Sequence, residues 1–306
     1  MAFTIRRYPF YIVMTILVVA IVFSLSALFL WISHRESKAA AVRMADRLFS
    51  EINEKTLERY ERALEAVAVL AGTAVRVPGM ATRPEGDGRS HPGLELMLEA
   101  LAFYEYLYSL YTGYDDGSFI QIIAVRDKPE LRRLFGAPQG TFYVLRAISA
   151  DPPETLQQRW VFLDKGRQAL GARGDPEPDY DPRARLWYTR ARAEETTFYT
   201  EPYIFSSAKM AGITCARKLL GGGGVFGADI TLDRFALSLE RQKISAHGML
   251  FLFDRTGRII AHPKENPIKS GKGETLQFLS GDESGDPLVR AVVAGYRADP
   301  DRGFNR

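Results

Sequence analysis

The residues Tyr180-Asp181-Pro182-Arg183-Ala184-Arg185-Leu186-Trp187-Tyr188 concentrate side chains suited to holding a small polar molecule. Asp181 followed by Pro182 predicts a helix capped by the aspartate, with the proline as its first residue. On such a helix Arg185 and Tyr188 lie three apart and share a face, and Trp187 is turned about 100° from Tyr188. A guanidinium beside aromatic rings grips a carboxylate through two parallel hydrogen bonds. The ring faces enclose an ammonium group or a carbon body. The same residues also suit aromatic core packing with solvated arginines, and the pattern alone leaves both readings open. Two further segments belong with this one. Tyr199-Thr200-Glu201-Pro202-Tyr203-Ile204-Phe205 reads as the start of a strand. Val225 to Leu232 is an apolar strand interrupted by Asp229, a carboxylate placed either to cap a turn or helix or to face a cationic group.

Catalytic chemistry finds no support. The four histidines, His34, His91, His247 and His262, stand in no nucleophile–base motif. No His, Asp or Glu cluster has metal-ligand spacing. The glycines 221–224 are followed by no Lys-Ser or Lys-Thr, so they read as a turn and not as a phosphate loop. Asp175, Glu177, Asp179 and Asp181 lack the spacing of a calcium loop and read as a solvated acidic segment. No catalytic residue, metal or cofactor is therefore expected. Lysine plus arginine total 40 against 37 aspartate plus glutamate, a net +3, too balanced for a dedicated nucleic-acid binder. The lone Cys215 excludes an internal disulfide framework.

The elements that must position these residues begin with a membrane segment. Phe10 to Ile32 is 23 residues without a charge, enough to span a hydrocarbon core of roughly 30 Å. Arg6 and Arg7 precede it and predict a cytoplasmic N-terminus, so the bulk lies outside the cytoplasm. The run exceeds the roughly 7–15 residues of a cleaved signal's apolar region. Ser33 to Gly72 reads as one long helix, with Leu57, Tyr60, Leu64, Val67 and Ala71 as an apolar stripe and Val42, Leu48 and Ile52 in a shifted phase. That stripe serves core packing, a mechanical stalk and a homodimer seam alike.

Residues 73–93 read as a loop, Leu94–Tyr104 as a short helix, and 106–110 and 119–125 as a hairpin about Tyr114-Asp115-Asp116-Gly117. Strands are predicted at 141–148, 159–163, 199–206, 211–217 and 225–230, with a helix from about 231 to 243. A second, smaller unit opens with strands 249–253 and 258–261 about Asp254-Arg255-Thr256-Gly257 and includes a helical stretch at 288–294. Its few strands leave a sheet edge unpaired, which points to a piece of a longer protein.

Tyr180, Arg185, Trp187, Tyr188, Tyr203 and Asp229, taken in order, resemble the ligand motif of double Cache sensor domains of bacterial transmembrane receptors. The resemblance covers the chain from about residue 10 to its end. The wording Tyr111 to Gly117, Asp179 with Asp181, and Thr200 to Tyr203 is similar to sensors attached to class III nucleotide cyclases or HD-type phosphohydrolases. It implies an α+β chain: cytoplasmic residues 1–9, transmembrane helix 10–32, stalk 33–72, a membrane-distal PAS-like antiparallel module over 73–235, and a truncated membrane-proximal module over 236–306. It implies a plasma (inner) membrane receptor that senses an amino-acid-like carboxylate and signals to a cytoplasmic output domain absent from the chain, a nucleotide cyclase before a kinase or diguanylate cyclase. In this family the arginine, tryptophan and tyrosines hold the carboxylate end of an amino acid, and the aspartate holds its amino group. Relatives often carry a second aspartate where this chain has Phe205, and a proline where it has Leu186. The alternative is a membrane-anchored interaction or dimerisation module with no small ligand.

Overall fold

The computed structural model describes residues 9–126, 128–150, 155–175, 178, 180–205, 210–232, 249–270 and 276–299. The chain divides into two units, residues 1–59 and 60–306. The first consists of the N-terminal part of helix α1, which runs from Phe10 to Ala74. Within it Phe10–Lys38 is long and apolar enough to cross a membrane, and none of its most apolar window is buried. The membrane segment and the stalk expected from the sequence are thus one helical element. The side chains of Val42, Leu48, Ile52, Leu57 and Tyr60 lie outside the described residues.

The second unit is built on an antiparallel sheet. Its strands are β1 (Leu107–Tyr114), β2 (Phe119–Ala124), β3 (Tyr143–Ala150), β4 (Leu156–Leu163) and β5 (Ala169–Asp175), then β6 (Phe198–Tyr199), β7 (Tyr203–Ile204), β8 (Ala211–Lys218) and β9 (Gly224–Thr231). The order is β5-β4-β3-β2-β1-β9-β8-β6, with β7 also on β8. Successive hairpins build the left half, and pairing of β1 with β9 closes the first strand onto the last. Every residue of β1, β2 and β9 is buried, so both faces of the sheet centre are covered.

One face carries Leu110, Ile120, Ile122, Leu145, Ile213 and Ile230 against Val67 and Ala71 of α1 and Met97 and Leu101 of helix α2 (Leu94–Phe103). Burying each such aliphatic side chain contributes roughly 1.5–3 kcal/mol, and this face is the main core. The opposite face is aromatic and partly polar. Trp187, Tyr188 and Ala191 of helix α4 (Leu186–Ala193) pack there on Tyr111, Phe119, Ile148 and Val225. Helix α3 (Pro129–Phe135) and strand β5 are additional to the elements the sequence predicts. β5 has no alternating apolar pattern to mark it as a strand: its sequence ALGARGD is rich in small residues and most of its residues are exposed.

One expectation is corrected. The strand expected over 199–206 is interrupted: β6 and β7 pair with the same strand, β8, but Tyr203 is four positions after Tyr199 whereas their partners Gly212 and Cys215 are three positions apart. Pro202 has no N–H for the ladder, and Thr200 covers the gap by accepting Thr214 N at 2.9 Å with its hydroxyl. The helix expected from about 231 to 243 falls on residues 233–248, which lie outside the described residues; before them Thr231 ends β9.

The smaller part contains β10 (Leu252–Phe253) paired with β11 (Ile259–Ala261), β12 (Ile268–Ser270) paired with β13 (Leu276–Phe278), and helix α5 (Pro287–Ala298). The expected Asp254–Gly257 turn is present: the Asp254 carboxylate accepts Thr256 N at 2.9 Å and Arg258 N at 3.0 Å, and Gly257 takes φ 80°. Ile260 packs with Ala211 of β8 and with Leu232, the residue after β9.

Candidate functional site

The aromatic face of the sheet is assembled row by row. Tyr111 on β1 stands opposite Gln121 on β2 and Gly227 on β9, and Gln121 stands opposite Arg146 on β3. Asp229 stands opposite Ser109 and Thr214 in the neighbouring row. Gly227 has a steric reason: a Cβ there would overlap the Tyr111 ring, which lies across β9. Gly113 similarly leaves room for Pro182 and the Trp187 indole. A cavity of about 270 Å³ remains above the rows, walled by these strands and by Tyr180, Arg185, Trp187, Tyr203 and Phe205.

The connection over the cavity departs from the expected helix. Asp181 caps only a 3-10 turn, Pro182–Ala184, accepting Arg183 N at 2.9 Å and pairing with the Arg183 guanidinium. Arg185 then adopts extended backbone (φ −90°, ψ 143°) and serves as the N-cap residue of α4. Arg185 and Tyr188 therefore do not share a helical face. Arg185 lines the cavity, with its guanidinium 4.6 Å from the centre of the Tyr180 ring. Tyr188 lies outside the lining, and its hydroxyl donates to Asp115 Oδ1 at 2.5 Å in the β1–β2 turn. The structure thus gathers Tyr180, Arg185, Trp187, Tyr203 and Asp229 of the six predicted residues around one cavity.

The two ends of the cavity differ in charge. At one end Arg185 and Arg146 each lie 4.6 Å from the centre of the Tyr180 ring. Arg185 Nε is buried and has no hydrogen-bond partner among the described residues. A buried guanidinium N–H left unmade costs on the order of 1–3 kcal/mol, so an anion that reached this donor would relieve that cost. Arg146 is 5% exposed and donates its Nε–H to Gln158 Oε1 at 2.6 Å. Burial pushes the Tyr180 phenol up to about 12, with Arg146 and Arg185 opposing the shift.

At the other end Asp229, 4% exposed, is surrounded by donors. Its Oδ1 accepts from Tyr111 Oη at 2.7 Å and Thr214 Oγ1 at 2.6 Å, and its Oδ2 accepts from Ser109 Oγ at 2.8 Å. Thr214 spends its one proton on Asp229 and so accepts from Tyr203 Oη at 2.7 Å. Gln121 Nε2 donates to Ser109 Oγ at 3.1 Å. Burial lifts the Asp229 carboxyl to about 6, against the lowering by its three hydroxyl donors. Burial also raises the Tyr203 phenol, with the Asp229 charge adding to the shift, so it stays a donor at neutral pH. Asp229 is not a helix cap: it lies inside β9 and presents a carboxylate to the cavity.

Arg146, Gln121, Tyr111, Ser109, Thr214 and Phe205 complete the site, and the sequence motif named none of them as binding residues. A signal existed for two: Gln121 and Arg146 are polar residues at inward positions of otherwise apolar strands, where charge is rare unless it has a partner. Phe205 is 3% exposed, stacked 5.9 Å from Tyr108 and edge-on to Tyr203 at 5.1 Å. It forms an apolar wall of the cavity. Among the described residues no group of three or more His, Cys, Asp or Glu is placed to hold a metal ion.

No family model matches the chain. Over 281 residues, 90% of the chain and 42% of the relative, it is 22% identical to adenylate cyclase 1 of Rhizobium meliloti. It is 32% identical over 151 residues to the methyl-accepting chemotaxis protein PscA of Pseudomonas syringae pv. tomato, covering 48% of the chain and 22% of the relative. The ligand-binding domain of the Pseudomonas fluorescens chemoreceptor CtaA, solved with L-isoleucine, aligns at a TM-score of 0.44 and 20% identity over 81% of this chain and 76% of that one. The chain spans less than half the length of both curated relatives. These relatives, a nucleotide cyclase and a chemotaxis receptor, are consistent with the double Cache resemblance.

Proposed function

We propose that the chain is the sensor region of a transmembrane receptor, anchored in the plasma (inner) membrane by residues 10–32, with residues 73–235 as its ligand-binding module outside the cytoplasm and residues 236–306 as the membrane-proximal module. The ligand is a small solute carrying a carboxylate and an amino group. The observation that carries this reading is Arg185, whose buried Nε–H has no partner among the described residues, lining one end of a cavity whose other end is the buried carboxylate of Asp229. Arg185 takes the ligand's acid group, Trp187, Tyr180 and Tyr203 frame its body, and Asp229 meets its positive end. Tyr188 supports the frame from behind through Asp115.

Ligand binding favours one arrangement of the module, and the shift is limited by the ligand's differential affinity for the two arrangements. The stalk, residues 33–72, carries that bias to the membrane and pairs two copies of the chain. The likeness to adenylate cyclase 1 and to chemotaxis receptors supports an output domain beyond the membrane, a nucleotide cyclase first among them.

The test is a thermal-unfolding screen of the full chain in detergent against amino acids, amines and carboxylates. A ligand at 100 times its Kd adds about 2.7 kcal/mol to the folded state, readily seen as a shift in Tm. The expected hit stabilises wild type and not Arg185→Ala. A hit that stabilises both equally refutes the site. If no compound binds and Arg185→Ala and Asp229→Ala are harmless while Trp187→Ala unfolds the unit, the interaction-module reading takes its place.

A further inference from the structure

We propose that a second groove, where helix α1 ends beside the β8–β9 turn, binds a solute carrying phosphoryl groups, held by Arg76, Arg217 and Lys218. The groove has a volume of about 580 Å³ and shares no lining residue with the aromatic cavity, so the inference does not rest on the proposed function. Its charged walls are Arg76 just beyond α1, Arg192 at the end of α4, Arg217 and Lys218 at the end of β8, and one acid, Glu195. Arg192 is paired with Asp115 at 3.4 Å and Lys218 with Glu195. Arg76 and Arg217 are different. Arg76 Nη1 donates to Gly72 O in α1, and Arg217 Nη1 donates to Thr197 Oγ1 at 3.5 Å. Among the described residues neither has a carboxylate within ion-pair reach.

The two guanidiniums are also close together. A Cβ on Gly72 would stand 3.1 Å from Arg217 Nη1 and 3.8 Å from Arg76 Nη1, so these nitrogens are no farther apart than those two distances laid end to end. Like charges that near repel, and an anion between them turns the repulsion into two attractions. The fork of N–H donors on each guanidinium matches phosphate oxygens. A phosphoryl group carries roughly −1.5 to −2 at pH 7, against the single charge of a carboxylate, and so suits two guanidiniums in one place. Glu195 is 85% exposed, and an exposed ion pair is weak, so Lys218 can exchange it for the incoming anion.

The end of α1 does not consume these cations. Its last carbonyls have other donors: Thr73 O takes Arg76 N, Ala74 O takes Val77 N and Val75 O takes Leu220 N. Only Gly72 O takes a guanidinium N–H from Arg76, which has four more. The turn beside them is open. Gly221, Gly222 and Gly223 all have positive φ, and a Cβ on any of them would meet nothing within 4 Å. The glycines are no phosphate loop; they leave the mouth of the groove clear, and the side chains supply the donors.

The test is calorimetric titration of the full chain, in non-ionic detergent at low ionic strength, with inorganic phosphate, pyrophosphate and succinate. Pyrophosphate should bind at least about tenfold tighter than phosphate, a difference of about 1.4 kcal/mol, because it reaches Lys218 as well as both arginines. Arg217→Gln and Arg76→Gln should each weaken pyrophosphate by about tenfold or more. Arg255→Gln, which removes the same charge from an exposed turn, should leave it unchanged. No binding of either phosphoryl anion overturns the inference, and so does succinate binding as tightly as pyrophosphate. Equal weakening by Arg255→Gln would show diffuse attraction and no site. Arg217→Gln that lowers Tm without changing anion affinity would assign the arginine to the helix end alone; if that variant does not fold, the exposed Arg76→Gln decides. Binding lost in Arg185→Ala and kept in Arg217→Gln would place the anion in the aromatic cavity and overturn the second site.

Discussion

Replacing Asp229 by asparagine should make the chain more stable at neutral pH, relative to wild type, than it does in acid. The Asp229 carboxyl ordinarily titrates near 3.8 and is lifted to about 6 by burial. The folded state therefore keeps the proton to higher pH than the unfolded chain does. Stability from this group is complete below about pH 3.8 and is lost as pH rises through 6. Integrating between those two values, wild type gives up about 2 kcal/mol from pH 4 to pH 7.5. Asparagine does not titrate and gives up none. The substitution also changes the hydrogen bonds from Tyr111, Thr214 and Ser109, but that change is present at both pH values and cancels in the difference. The assay is urea unfolding of both proteins at pH 4 and 7.5, followed by the fluorescence of Trp160 and Trp187, which are 7% and 4% exposed. The stability of Asp229→Asn minus that of wild type should rise by about 2 kcal/mol between the two pH values. A flat difference would show that the carboxyl titrates normally, and a fall would show that a cation holds it ionised; either result refutes the burial argument.

Tyr111→Phe removes one of the three donors to Asp229 and should raise its pKa above about 6, as read by carboxyl carbon NMR; an unchanged value would remove Tyr111 from the network. Gly227→Ala drives a methyl into the Tyr111 ring and should cost about 1–3 kcal/mol by thermal unfolding. Tyr188→Phe loses the bond to Asp115 and should cost about 1 kcal/mol with ligand affinity unchanged, whereas a large loss of affinity would place Tyr188 in the pocket. Trp187→Ala empties a site 4% exposed and should cost about 3–5 kcal/mol in urea unfolding.

The membrane segment, the α2 helix and the hairpins about Gly117 and Gly257 were legible in the sequence. Each rests on a run of neighbouring residues: a charge-free stretch of spanning length, a helical period, or a turn residue able to take positive φ. The five predicted residues that meet at the cavity were legible as a motif, as was Phe205 at the expected aspartate position. What the linear pattern could not supply was direction. Arg185 and Tyr188 appeared to share a helical face, yet the extended backbone at Arg185 sends their side chains to opposite places. Asp229 read equally well as a cap, and only the pairing of β9 with β1 and β8 turns it toward Ser109, Tyr111 and Thr214. Arg146, 39 residues before Arg185, joins it at Tyr180 because β3 reaches the site through its pairing with β2 and β1. Local spacing determines which elements form, since their hydrogen bonds and turns are made within a few residues. The charge of the cavity was decided by strand register, which brings together side chains more than a hundred residues apart.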